Sequence, residues 1–462
     1  MSQRLLFLSV LIAFFVLPVW SQPHVVATSD MPEATAFNNG HKLAVEGWAL
    51  QPARIHAVFT SSNDVFHSFS TNLGSSWSSS VAVSQTSGPS RYPAIVRDSL
   101  LGGLFAVWQD STPGQNDIYL SSNQGGSWST PINVSNTSGQ SVRPSLDADR
   151  LGRLHLVYAD NSSGNYDIYY QRYESGAWSD TLNLSRNTGL SDFPSIGAYG
   201  DDVYVCWEDN SPGNFEIFER HWNGTAWSTA RNLSQSPASS RWPSLSCPSY
   251  ISFPYSADFS VTWVEADTAI RVIGPNGGGA ERTRPCDNPV ISNIGTTWAY
   301  LSWQDRDSIC MSGYYFMNGH WSTPVALSQG HYPSLLGSNL LYTQGVSGPY
   351  QVMFTGGYYP IGIEEEEPVC KPSLILSLHP NPSAGLVRAS LSFSQEASLS
   401  LVVYDLQGAV IRTLARAQAI AGLHEFHWDG RDDFGHKVPS GVYLLRASAG
   451  SKRQTARVLL LR

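Results

Sequence analysis

A proline returns through most of this chain at a slowly shrinking interval: Pro93, Pro144, Pro194, Pro243, Pro289 and Pro333, spaced 51, 50, 49, 46 and 44 residues apart. A second marker keeps step with it, a tryptophan at Trp77, Trp128, Trp178, Trp227 and Trp321, with Gly277-Gly278-Gly279 standing in its place in the fifth unit. The clearest copy spans 143–185. It runs Arg143-Pro144-Ser145-Leu146-Asp147, then Leu154-His155-Leu156-Val157-Tyr158-Ala159-Asp160, Asp167-Ile168-Tyr169-Tyr170, and Trp178 to Leu182-Asn183-Leu184-Ser185. These are four short alternating runs cut by Gly, Asn, Asp and Ser, the pattern of a four-stranded antiparallel meander.

Meanders repeating at this period stack into a ring, so the chain reads as an all-β propeller. Second strands are countable at Ile55–Phe59, Leu104–Trp108, Leu154–Tyr158, Val203–Trp207, Ser260–Val264, Ala299–Trp303 and Asn339–Tyr342, which predicts seven blades. The last unit lacks a fourth strand, and His24–Thr28 resembles a fourth strand with nothing before it. It is expected to close the ring and remove the free edges. A six-bladed ring is the alternative, because the first unit lacks the proline and the fifth is degenerate. The propeller is expected over 22–360.

Met1-Ser2-Gln3-Arg4, the apolar run Leu5–Val19 and Ser21 read as a secretory signal peptide over 1–21; a membrane span needs ~20 apolar residues. Glu364-Glu365-Glu366-Glu367-Pro368 marks an acidic linker over 361–373. Beyond it, alternating runs from Leu374 to Leu461 predict an immunoglobulin-like sandwich over 374–462. Residues 22–363 hold 16 Lys/Arg against 27 Asp/Glu, a net −11, whereas 371–462 hold 11 against 6, a net +5. An acidic main body argues against nucleic acid and anionic membranes as partners. The five cysteines, Cys206, Cys247, Cys286, Cys310 and Cys370, are an odd number without metal-ligand spacing; buried thiols or one or two disulfides are expected.

Two stretches carry resemblances. Ser70-Thr71-Asn72-Leu73-Gly74-Ser75-Ser76-Trp77 and Ser121-Ser122-Asn123-Gln124-Gly125-Gly126-Ser127-Trp128 resemble the Asp-box of sialidase-like (BNR-repeat) propellers, with Asn in the Asp position. The box is a turn device, so it implies architecture rather than activity. His379-Pro380-Asn381-Pro382, Val403-Tyr404-Asp405 and Trp428-Asp429-Gly430 through Gly441-Val442-Tyr443 resemble the C-terminal sorting domain of type IX secretion, which shares its form with the Ig domain of the flagellar hook-capping protein. That resemblance implies recognition by the type IX machinery and an extracellular or outer-membrane-surface location.

In a meander ring the pre-proline loops and the loops after the second strands share one face, around the channel mouth. The repeats place there Arg91, Tyr92, Arg143, Arg241, Trp242 and His331, with Asp110, Asp160, Asp209 and Asp305. Aromatic faces beside carboxylates and guanidinium groups suit sugar binding. The expected function is non-catalytic binding of glycans or extracellular protein. A sialidase-type exo-glycosidase is the competing reading, since three converging arginines would hold a substrate carboxylate, with Tyr92 and Glu208 among the nameable nucleophile and partner groups; a structural or adhesion module is the third. A residue kept in most repeats also has a bland role, turn chemistry and packing between blades. No cofactor is expected. The loop Asp209–Asn214 is oxygen-rich enough for a structural calcium but lacks calcium-loop spacing.

Overall fold

The computed structural model describes residues 22–48, 51–98, 100, 102–247, 259–274, 279–283, 286–294, 298–315, 320–322, 324–356, 375–379, 383, 385–393, 397–419, 422–449 and 452–461. The expected signal peptide and acidic linker, and Cys370, lie outside them. The chain divides into two compact units, Met1–Pro360 and Ile361–Arg462. The first is a β-propeller and the second an Ig-like sandwich.

Among the described residues, the first unit contains seven antiparallel sheets of four or five strands. They open with Leu43–Trp48, Ser90–Arg97, Ser141–Ala148, Ser191–Tyr199, Ser240–Ser246, Asp287–Ile294 and His331–Leu336. Each opening strand packs on the next, and the last packs on the first. The seventh sheet takes its fourth strand from the N-terminus: His24–Ser29 pairs antiparallel with Tyr350–Gly356. Each second strand places one aromatic residue at the same repeat position. Phe59, Trp108, Tyr158, Trp207, Trp263, Trp303 and Tyr342 are all 3% exposed or less. These rings fill the wedge between neighbouring sheets, where large rigid side chains bury the most apolar surface.

Three of the recurring tryptophans tie their sheet to the one before it. Trp77 packs edge-on to Phe354, Trp128 to His67 and Trp227 to Tyr170, at centroid distances of 5.2, 5.3 and 4.9 Å. The boxes themselves are closed turns. Ser70 Oγ accepts from Gly74 N at 2.8 Å, Asn72 Oδ1 accepts from Ser76 N at 2.9 Å, and Trp77 Nε1 donates to Gly74 O at 3.1 Å. Gly74 sits at φ 85°, a conformation that only glycine adopts without penalty.

The recurring proline marks a β-bulge. In six sheets the register breaks there, and the residue before proline is left-handed: Tyr92, Arg143, Phe193, Trp242, Asn288 and Tyr332 have φ between 48° and 56°. Pre-proline residues ordinarily favour extended backbone, so each bulge stores strain on the order of 1–3 kcal/mol.

The segment joining His24–Ser29 to Leu43–Trp48 offsets it. This stretch has no counterpart in the other repeats, and it crosses the ring's axis bonding to all seven sheets. Thr60 N donates to Ala34 O and Ile95 N to His41 O, in the first and second sheets. Asn39 Nδ2 donates to Arg143 O and Pro194 O at 3.0 and 2.9 Å, and Asn38 Nδ2 to Trp242 O and Pro289 O at 3.0 and 2.9 Å. Thr35 Oγ1 donates to Tyr332 O at 2.8 Å. The bulge carbonyls thus find donors in one plug, as buried backbone acceptors must. Lys42 is buried beneath it, its Nζ donating to Phe37 O and Gly40 O; burial pulls its pKa down to about 7.

In the second unit Ile375–His379, Val387–Phe393 and Gly422–Trp428 form one sheet, and Val410–Ala419, Ala397–Tyr404, Gly441–Ala449 and Lys452–Leu460 the other. Trp428 and Tyr443 meet edge-on at 5.2 Å in a core with Val387, Leu401, Leu445 and Val458. Trp428 Nε1 donates to Arg431 O at 2.9 Å, so the Trp428–Gly435 motif is a turn pinned to this core.

Cys206, Cys247 and Cys286 are free thiols. No helix there is long and apolar enough to cross a membrane.

Asn39→Ala removes two cross-ring bonds, each worth about 1 kcal/mol net and more where a buried carbonyl is left unpaired. It is expected to lower stability by about 2–4 kcal/mol, read as a shift in the urea midpoint at unchanged slope.

Candidate functional site at the channel mouth

The six bulges hold four aromatic side chains, an arginine and an asparagine around the plug, and Phe37 of the plug is the hub of one group. Its ring stacks on Tyr92 at 4.3 Å and meets Phe193 edge-on at 5.2 Å. The Arg143 guanidinium lies 4.5 Å from the Phe193 centroid and 5.7 Å from that of Phe37. Three sheets therefore converge on one plug residue. A second group forms further round the ring, where the Arg241 guanidinium lies 4.2 Å from the Phe215 centroid and 5.5 Å from that of Trp242.

The arginines are engaged one at a time, each by the neighbouring sheet. Arg143 Nη1 donates to both carboxylate oxygens of Asp192 at 2.8 Å. Arg241 donates to Glu208 Oε1 at 2.7 Å, and the other Glu208 oxygen accepts from Trp242 N at 2.9 Å. Burial pushes the Asp192 and Glu208 carboxyls up, and the guanidinium groups offset only part of that. Arg91 donates to Asn63 Oδ1 at 2.8 Å. These arginines bridge sheets and are each held by a different partner, which counts against the three-arginine clasp of the competing reading.

Tyr92 donates its hydroxyl to Glu33 Oε2 at 2.8 Å. Burial, and then the bond to Glu33, pushes its pKa up to about 12. Glu33 belongs to the plug, so sequence periodicity had no register in which to find it; Glu208, nameable as the partner, is instead held by Arg241 and Trp242.

Three of the expected carboxylates are sealed inside the blades. Asp110, Asp160 and Asp209 are 0% exposed. Asp110 accepts from Thr86 Oγ1, Ser90 Oγ, Trp108 Nε1 and Thr112 N at 2.6–2.9 Å. Asp160 accepts from Thr137, Ser141 and Ser162, and Asp209 from Asn187, Ser191, Trp207 and Ser211. They are clamps joining the turn, the opening strand and the second strand of one sheet, so their place as ligand groups is corrected. The same bonds occupy the carboxylate of the Asp209–Asn214 loop, and among the described residues no three His, Cys, Asp or Glu side chains gather to hold a metal. Asp305 and His331 are half-buried on the sixth and seventh sheets, the His331 ring 6.4 Å from that of Tyr332.

Comparison with known proteins fits this picture at the level of fold. Residues 383–453 match the FlgD Ig-like domain family. No curated protein matches the chain. Among solved structures, an ulvan lyase of polysaccharide lyase family PL25 is similar at 8% identity over 72% of this chain and 95% of that one, with a TM-score of 0.54. The NanB sialidase of Streptococcus pneumoniae aligns at 10% identity over 62% and 68%, with a TM-score of 0.41. PorZ, a surface component of the type-IX secretion system of Porphyromonas gingivalis, aligns at 13% over 92% and 60%, with a TM-score of 0.39. The lyase likeness establishes a shared fold, and nothing further rests on the two lower scores.

Asp209→Ala strands four donors, each worth about 1–3 kcal/mol when buried and unpaired. It is expected to destabilise by on the order of 4 kcal/mol, whereas Arg91→Ala at the rim stays within about 0.5 kcal/mol. Paired urea titrations compare the two; equal effects would return Asp209 to the list of ligand groups.

Proposed function

We propose that the chain is a secreted or cell-surface protein whose propeller binds glycans, free or on extracellular protein, at the channel mouth without cleaving them. The observation that carries this reading is the strained collar of left-handed pre-proline residues, Tyr92, Arg143 and Phe193 gathered on Phe37 of the plug and Trp242 and Tyr332 further round the ring. Strain kept at a repeated position, with the side chain changed from blade to blade, points to recognition rather than packing. Partly exposed aromatic faces bordered by charge pairs match a sugar's CH faces and hydroxyls. Export through the type IX machinery is part of the proposal, supported by the signal-like N-terminus and by the Ig-like domain match over 383–453.

One observation favours a second reading. The Tyr92–Glu33 bond is the kind of pair a retaining glycosidase with a tyrosine nucleophile employs. Against it stands the separate engagement of the arginines, Arg143 and Arg241 each by a carboxylate and Arg91 by the Asn63 amide.

A glycan array probed with the full chain is expected to give ligands whose binding falls about tenfold or more in Tyr92→Ala and Trp242→Ala, as loss of a central aromatic contact does. The same preparations are expected to leave a fluorogenic sialoside unhydrolysed. Turnover abolished by Tyr92→Phe would replace binding with catalysis, and an array with no ligand would leave an adhesion scaffold.

A further inference from the structure

The repeat supplies its own control for a site in the first sheet. Four equivalent positions hold Glu46, Arg54, His56 and His67 there, and Asp149, Arg153, His155 and Tyr170 in the third sheet. In the third sheet the set is sealed. Asp149 accepts from Arg153 Nε at 2.5 Å and from His155 Nε2 at 3.1 Å, and His155 Nδ1 meets the Tyr170 hydroxyl at 2.9 Å. Arg153 then crosses to Gly200 O and Asp201 of the fourth sheet, at 2.7 and 2.9 Å.

In the first sheet the same frame is open. Arg54 stands 3.7 Å from Glu46, with its side chain 42% exposed, and rests on Phe69 at 4.9 Å. Beside it a cavity of about 440 Å³ opens between the first and second sheets, bordered by Glu46, Arg54, His56, His67, Phe69 and Trp128. That volume lies in the range of small-molecule sites, about 300–1,000 Å³.

The polar groups are ordered. Glu46 Oε1 lies 3.3 Å from His56 Nε2, and His56 Nδ1 lies 3.0 Å from His67 Nε2. With the carboxylate accepting from His56 Nε2, His56 Nδ1 accepts from His67 Nε2, and His67 Nδ1 keeps its lone pair. Burial, with lesser help from Arg54, draws His56 down to about 4 and His67 to about 3, so both rings are neutral at pH 7. Trp128, 8% exposed, has an Nε1 donor with no acceptor among the described residues. That indole nitrogen is itself sealed from solvent, so the cavity offers a cation and a free acceptor within apolar walls.

We propose that this cavity binds one carboxylated sugar unit, a uronate of an acidic polysaccharide. The Arg54 fork takes the carboxylate, His67 Nδ1 accepts from a ring hydroxyl, and the Trp128 ring borders the sugar. The site lies apart from the channel mouth and does not depend on the reading given to it.

Calorimetry on the full chain with tri-galacturonate, maltotriose and galactose 6-sulfate tests it. Tri-galacturonate is expected to bind and maltotriose is not. Arg54→Ala is expected to weaken binding about tenfold or more, as loss of a hydrogen bond to a charged group does. His67→Tyr installs the residue the third sheet already accommodates; it is expected to weaken binding by a similar factor while the melting temperature holds. Trp242→Ala, at the mouth, is expected to leave this affinity unchanged. Absence of binding, equal binding of maltotriose, binding of the sulfate alone, or wild-type affinity in both cavity variants would each overturn the assignment.

Discussion

One short segment holds the ring at its centre. Residues 34–42 bond to all seven sheets, and the two asparagine amides alone reach four of them. The bulges turn backbone carbonyls toward the axis, where buried acceptors without donors would each be a penalty. A water-filled channel would satisfy them loosely; the amides of Asn38 and Asn39 satisfy them at fixed separation. The strand just before the plug also closes the seventh sheet. Closure at the rim and at the axis thus depends on a single stretch of about twenty residues, and the strained pre-proline residues are held in place by it.

Repetition decided what the sequence could disclose. Pro93 through Pro333 and the tryptophans of the boxes announced the sheets, their order and the N-terminal strand's place, because each marker recurs for a reason of geometry. The plug recurs nowhere, so Glu33, Phe37, Asn38 and Asn39 stood outside every register. The buried carboxylates misled for the opposite reason. Asp110, Asp160 and Asp209 recur, follow an aromatic residue by two positions and precede turns, which reads equally well as an exposed loop or a sealed clamp. The surrounding hydroxyls distinguish the two, and most of those come from segments about 20 residues away in sequence, such as Thr86 and Ser90 for Asp110.

Pairing at the mouth has a physical consequence. Asp192 and Glu208 are largely buried, and a buried carboxylate is tolerated when a guanidinium and further donors face it. Releasing Arg143 or Arg241 to clasp a substrate would strand those acids, so the arginines are committed to their sheets. Their planar faces still border the rings of Phe193, Phe215 and Trp242, where they can stack with or hydrogen-bond a neutral ligand without leaving their partners. The same pairs count against a sialidase-like clasp and are compatible with the proposed recognition of sugars at the mouth.

Variation within a fixed frame is how such a ring acquires chemistry at small structural expense. Asp149, Arg153, His155 and Tyr170 show what the four positions do when they serve packing: both His155 nitrogens and the Asp149 carboxylate are bonded, and Arg153 reaches the next sheet. Replacing tyrosine by histidine at 67 shortens the side chain and exchanges a hydroxyl for a ring nitrogen with a lone pair. Leaving Arg54 without a partner on the second sheet keeps its charge available. Neither change disturbs the strand register, since the pairing of Gln51–Ser61 with Asp64–Ser70 runs without a break. The strand positions recur in register, but the chain from Glu46 to Arg54 is four residues longer than that from Asp149 to Arg153 and carries a bulge after Glu46; the longer hairpin and the changed side chains together turn a sealed joint into a cavity with an acceptor and a charge.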